Sequence, residues 1–247
     1  MKDKILRWLF LPVLLGFFFQ VPAAAQDDYQ SYMREAGGAA LLYRGHQAFT
    51  YSLRYNGTYW WEKPGFYEGA VDYKGRHYEN VLLNIDAARQ DLVVKNVKGV
   101  GEKVLARESV SSCRFDGKQF LHLRHYYGAK APDGYWEVLY DGRAKLLKRV
   151  TKRLVQDLEG TRQSQTGGST NYNTKVYQSF IQVVAYCHIS ESGEIVPIRS
   201  KNQLLNLYKS QKREIRRYIS TSHEEVLYGA NTFEPFSVLV MQYVESR

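Results

Sequence analysis

Five short phrases punctuate this chain: Tyr55-Asn56-Gly57, Tyr73-Lys74-Gly75-Arg76, Phe115-Asp116-Gly117-Lys118, Tyr140-Asp141-Gly142-Arg143 and Glu191-Ser192-Gly193-Glu194. Asn-Gly and Asp-Gly accept the positive φ of a two-residue hairpin turn, and alternating side chains flank most of these sites. A chain that turns back on itself so often, over so few residues, is restricted to antiparallel pairing. The expected class is α+β and mainly β: a curved antiparallel sheet of successive hairpins, partly closed or barrel-like, with C-terminal helices packed on it.

The segments between the turns agree. Phe49 to Tyr55 alternates apolar and polar residues strictly, the pattern of a strand with one buried face. Further strands are expected at Gly69–Tyr73, His77–Asp86, Asp91–Lys95, Val110–Phe115, Gln119–Arg124, Tyr135–Tyr140, Ala144–Val155 and Glu194–Ile198. Tyr177–Ile189 is apolar on both faces and reads as a central strand. Residues 160–174 are Gly, Ser, Thr, Asn and Gln almost throughout and read as a flexible loop. The period then changes. Leu204, Leu207, Tyr208, Ile215, Tyr218 and Ile219 recur at helical spacing over Ser200–Ser220, and Ser200 with Gln203 has the spacing of a capping box. Ser222 and Glu225 repeat the device, and Gly229 is the expected stop. For 233–244, Glu234-Pro235 suits a first helical turn while Val238-Leu239-Val240 suits a strand; helix is preferred.

Lys2, Lys4 and Arg7 precede the apolar run Trp8–Phe19, and Ala23-Ala24-Ala25 follows, the three-part pattern of a secretory signal cleaved after Ala25. The apolar run is shorter than the roughly 20 residues that span a bilayer. The expected mature product is therefore periplasmic or secreted, with no transmembrane segment: one β-rich domain over 26–247, its meander over 26–199 and its helical segment over 200–247. The whole chain carries a net charge of +9. Loss of the leader, three basic residues against one acid, leaves +7. That excess favours anionic partners such as lipid head groups or acidic glycans, and export argues against nucleic acid. Cys113 and Cys187 are the only cysteines. In an exported chain the pair permits one disulfide, and the alternative is two buried thiols.

The run Phe66-Tyr67-Glu68-Gly69-Ala70-Val71-Asp72-Tyr73-Lys74-Gly75, continuing through Tyr78, Val81, Leu83 and Asp86, resembles a recurrent pattern in exported, β-rich periplasmic proteins of Bacteroidota. Its companions are Gly134-Tyr135-Trp136-Glu137-Val138-Leu139-Tyr140-Asp141-Gly142 and Ser200-Lys201-Asn202-Gln203-Leu204-Leu205. The resemblance implies export and a β-rich fold. It carries over no activity and no catalytic residue.

Few residues advertise chemistry. His122 and His125 have the spacing of a helical metal pair, but on a strand they face opposite sides. Asp72, Glu79, Asp86, Asp91, Asp133 and Glu137 are available for paired-carboxylate hydrolysis, with nothing in the sequence to say which converge. There is no Gly-x-Ser-x-Gly elbow and no phosphate-binding glycine loop. No cofactor or metal is expected. Among 20 tyrosines, Tyr59-Trp60-Trp61 stands out as a sugar or partner contact. Only one of the two tryptophans should be core if the segment is extended. Two basic stretches add candidates: Lys148, Arg149, Lys152 and Arg153 on a strand, and Lys209, Arg213, Arg216 and Arg217 on one helix face opposite Leu204, Leu207, Tyr208 and Ile215. The leading expectation is a non-enzymatic envelope protein that binds a partner protein, a glycan or an anionic surface. The alternatives are a carrier or chaperone for an apolar ligand inside a curled sheet, in a pocket lined by Leu53, Val71, Leu83, Phe120 and Val183, and a secreted hydrolase of envelope polymers.

Overall fold

A computed structural model describes residues 31–32, 35–36, 40–51, 55–96, 101–159, 175–222, 224–226 and 231–247. The leader, the loop 160–174, the middle of the predicted strand at 49–55 and Gly229 lie outside the described residues. The chain divides into two units, Met1–Ala40 and Leu41–Arg247. In the first, residues 31–32 and 35–36 are helical.

The second unit carries one eleven-stranded antiparallel sheet. Its strands are β1 (His46–Gln47), β2 (Tyr67–Tyr73), β3 (Arg76–Asp86), β4 (Asp91–Asn96), β5 (Gly101–Val104) and β6 (Val110–Phe115). They continue as β7 (Lys118–His122), β8 (Tyr135–Asp141), β9 (Lys145–Glu159), β10 (Lys175–Ile189) and β11 (Ile195–Ile198). Their order across the sheet is β1-β5-β4-β3-β2-β6-β7-β8-β9-β10-β11. From β2 onward, neighbours in space are mostly neighbours in sequence, as hairpin-forming turns dictate. Lys74 and Gly75 (φ 51° and 72°) and Asp116 and Gly117 (φ 52° and 68°) take the left-handed pair of conformations that a two-residue hairpin needs. The phrases at 140–143 and 191–194 also join paired strands. Tyr55-Asn56-Gly57 does not. Asn56 instead bridges to Ser179 of β10 in parallel, and Trp60 then bridges to Asp86 of β3.

That crossing holds the curl of the sheet. The β3–β4 turn also reaches β9, where Ala87 O accepts from Lys152 N (3.0 Å) and Gln90 Nε2 donates to Val150 O (2.9 Å). The sheet remains open, but its two halves are tied. The registers place Tyr67, Val81, Leu83, Val94, Cys113, Phe115 and Phe120 on one face. Phe115 and Phe120 stack at 4.6 Å there, with Trp61 edge-on to Phe120 at 4.9 Å. Farther along the same face, Leu146 and Ile198 pack beneath four buried helical side chains, Leu204, Ile215, Ile219 and Val240. The reverse face holds Leu121, Trp136, Leu147 and Cys187, with the short helix α1 (Leu123–Tyr127) contributing Leu123.

The C-terminal helices are α2 (Lys201–Leu207), α3 (Lys212–Ser222) and α4 (Phe233–Glu245), so 233–244 is helical. Ser200 Oγ accepts from Gln203 N at 3.2 Å, as the capping spacing predicts, while Gln203 Oε1 reaches one residue past the cap and accepts from Arg199 N at 2.9 Å. The single helix expected over 200–220 is broken by a turn at 208–211. Lys209 falls in that turn, so it does not share a continuous helical face with Arg213, Arg216 and Arg217, and Leu207 is 38% exposed. A short 3-10 turn, Glu224–Val226, follows α3. Among the described residues no helix is long and apolar enough to cross a membrane.

Cys113 and Cys187 are free and buried. They lie on opposite faces, and β7, β8 and β9 stand between their strands. Four strand spacings of about 4.8 Å put them far beyond the 7 Å limit for bridging. Of the two readings the sequence allows, the structure has the two buried thiols, packed as small apolar groups, and burial pushes the Cys187 thiol up to about 12.

Candidate functional site

A cleft of about 510 Å³ opens where the end of β7, α1 and the loop before β8 meet β4 and the turn after β5. Asp91, Arg107, His122 and Asp133 are its polar floor, and His46, Glu108, Arg124 and His125 are its exposed rim. Local chain geometry explains the gathering. β7 ends at His122, and the chain coils at once into α1, which throws Arg124 and His125 onto the rim. The strand expected to run to Arg124 stops short, so His122 and His125 line the same cleft rather than facing opposite sides. Among the described residues no group of three or more His, Cys, Asp or Glu side chains is placed to hold a metal ion.

Asp133 is the hub. Its carboxylate accepts from His122 Nε2 (3.1 Å), Arg107 Nη1 (3.0 Å) and the Gly134 N–H (2.9 Å), and Arg124 Nη1 stands 3.3 Å away. Burial alone would raise its pKa, but the His122 and Gly134 hydrogen bonds and the Arg107 and Arg124 charges outweigh burial and bring it down to about 2. Arg107 is shared, with Nη2 donating to Asp91 Oδ1 and to Arg89 O, both at 2.9 Å. Burial works against the Arg107 charge, yet the Asp91 and Asp133 carboxylates hold its pKa above the usual value. Arg149 braces the hub from behind, donating to Asp133 O at 2.6 Å with its guanidinium 4.9 Å from the centre of the Trp136 ring.

Asp91 and Asp133 are thus committed to arginines, Glu108 stays exposed on the rim, and the remaining polar side chains are Arg and His. Arg107 Nε–H is buried with no acceptor. Arg124 spends Nε on Ala131 O, and its side chain is 46% exposed. The rings of His46 and His125 complete the rim, while His122 Nδ1 is a buried ring nitrogen with no partner among the described residues. The lining balances three carboxylates against two guanidiniums, so what it offers an acceptor-rich group is the donors of Arg124 and the rim histidines rather than net charge. Among the described residues its lining includes no Ser, Thr, Cys or Lys side chain.

Of the residues singled out from sequence, Asp91, His122, His125 and Asp133 line this cleft and Arg149 stands behind it; the aromatic and the other basic candidates lie elsewhere. Trp60 and Trp61 are both buried, at 7% and 2% exposure, so neither is the free contact that strand alternation predicted. They do diverge, but each meets a cluster of its own. Trp60 packs with Val93 and Val104 on the reverse face and Trp61 with Phe115 and Phe120 on the other. Tyr59 is half-buried between Tyr51 and Trp60. The basic residues of β9 split by alternation. Lys152 is buried and donates to Trp60 O at 2.5 Å, and burial lowers its pKa. Lys148 sits 2.9 Å from Glu234 and 3.8 Å from the buried Glu137. Lys118 completes that row, 3.5 Å from Glu137, 3.0 Å from Glu62 and 4.3 Å from the centre of the Trp61 ring. Arg153 is exposed on the reverse face, opposite Ile181. On α3, Arg216 bonds Asn202, while Arg213 and Arg217 are exposed.

The carboxylates are likewise engaged. Asp72 holds His77 and Ser112, and Glu79 is within 3.4 Å of His77. Asp86 takes the Ala88 and Arg89 amides and the Tyr51 hydroxyl. Three of the four residues proposed for an apolar cavity that lie in the described region are Val71, Leu83 and Phe120, buried in the packed core, whereas Val183 is exposed on the reverse face. Leu53 lies outside the described residues. Sequence reasoning missed Arg107 and Arg124. The usable signal was the polar run His122-Leu123-Arg124-His125 directly after an apolar strand, close to Pro132-Asp133-Gly134.

Comparison with known proteins gives no family model, curated protein or solved structure that matches this chain.

Proposed function

We propose that this chain is an exported, non-enzymatic binding protein of the cell envelope whose cleft receives a carboxylate or another oxyanion carried by a larger ligand. The observation that supports this reading is the donor surplus around Asp133. Arg107 and Arg124 are preset by Asp91 and Asp133, leaving the exposed outer edge of Arg124 and the His46 and His125 imidazoles on the cleft rim. Preset donors bind an anion without the entropic cost of collecting them. The leader-like N-terminus and the resemblance to exported proteins of Bacteroidota support the location.

An acidic glycan and an anionic lipid head group offer the same chemistry, and titration separates them. The mature chain is titrated calorimetrically with oligogalacturonate, with phosphatidylglycerol vesicles and with inorganic phosphate, each against Arg124→Gln. Binding in one arm that weakens at least tenfold in Arg124→Gln, and weakens again as salt is raised, is the expected result. Failure of all three to bind, or equal binding by Arg124→Gln, overturns the assignment.

A further inference from the structure

The run 177–189, apolar on both faces, reads from sequence as a buried central strand. The structure covers only part of it. Ile181, Gln182, Val183 and Val184 are four consecutive exposed residues of β10, with Ile181, Val183 and Val184 at 38%, 48% and 36%. Their inner edge is fully paired to β9 from Lys175 to Ile189 without a bulge. The outer edge is occupied at two places only among the described residues. Asn56 takes the Phe180 N–H and donates to Gln178 O, and β11 pairs with 186–189. Because the outward groups of Gln178 and Phe180 belong to even-numbered residues, alternation turns the N–H and C=O of Gln182 and Val184 outward too.

A free, apolar strand edge is a hazard that proteins normally blunt with lysine, proline or a bulge. Past its first residue, Lys175, β10 does none of these. From Val176 to Ile189 there is no Lys, Arg, Asp, Glu or Pro. We propose that this edge is an interaction surface that takes an extended segment of a partner protein as an added strand. The free window is short, bounded at one end by Asn56 and at the other by Ile198. A second copy of β10, fifteen residues long, would run into both boundaries if it paired here, whereas a segment of about five residues, extended at about 3.3 Å each, fills the gap. Ile181 and Val183 on the reverse face call for aliphatic residues at alternate positions. Arg153, exposed across from Ile181, calls for an acidic residue beside them.

The test is a displayed library of nine-residue peptides selected on the mature chain and counter-selected on Val184→Pro. Proline there removes an outward N–H while leaving the ladder to β9 intact. The expected winners carry aliphatic residues at alternate positions with a flanking acid. They should slow amide exchange at Gln182 and Val184 at least tenfold and lose affinity at least tenfold on Val183→Lys, a surface change that keeps the fold. If no peptide distinguishes the native chain from Val184→Pro and Val183→Lys, the inference is overturned. It is equally overturned if sedimentation shows a dimer that Val184→Pro dissociates, because the edge then serves a second copy.

Discussion

Replacing Asp133 with Asn removes one charge from the hub and leaves its shape. In the folded chain Asp133 titrates at about 2, against about 3.9 for an unfolded aspartate. A carboxyl group with a lowered folded pKa adds stability above its unfolded pKa and loses it as pH falls through the folded one. The full shift corresponds to about 2.5 kcal/mol. Asp133 is about one-third exposed, at 34%, so solvent screening reduces this to about 1 kcal/mol. Arg107 keeps Asp91 and Arg89 O in the variant, which prevents a larger loss. Urea unfolding of the native chain and Asp133→Asn at a series of pH values measures the difference directly. It should be about 1 kcal/mol at pH 6, about half that near pH 3, and close to zero below about pH 2. A difference that is constant between pH 6 and pH 3, or under about 0.3 kcal/mol at pH 6, would show that Asp133 does not organise the cleft by its charge.

Two further outcomes follow from the packing. Gly69→Ala should cost about 2–3 kcal/mol in chemical denaturation, because its Cβ would collide with the Arg114 carbonyl of β6, whereas Gly75→Ala, whose Cβ enters open space, should cost only about 1 kcal/mol for its positive φ. Both cysteines should resist a thiol reagent in the native chain, react fully in guanidinium without reductant, and leave the melting temperature unchanged by reducing agents; a bridge detected by mass spectrometry would overturn the assignment of their faces.

How much of the cleft was legible follows from how its residues are gathered. Asp91, Arg107, His122 and Asp133 come from β4, the turn after β5, the end of β7 and the loop before β8. No periodicity links such positions, and each alone reads as an ordinary surface charge. The acids and histidines among them stood out as residue types, but the arginines that give the site its character did not. The two tryptophans went astray for another reason. Alternation correctly sends Trp60 and Trp61 to different sides, but it cannot say that both sides are covered.

Turn chemistry and period, both local, settle much from the sequence alone. Lys74-Gly75 and Asp116-Gly117 set hairpins because their backbone conformations need residues that tolerate positive φ, and Ser200 with Gln203 opens a helix because two backbone N–H groups there need acceptors. The antiparallel order and the helical C-terminus follow from such requirements. Tertiary structure decided what covers each surface. The curl that sends 55–61 from β10 to β3 uses Asn-Gly as a crossing, buries both tryptophans and leaves 181–184 of β10 open, although that strand looked like the most buried of all. Burial and edge pairing depend on segments distant in sequence, and the free energy that chooses them comes from contacts no local pattern contains.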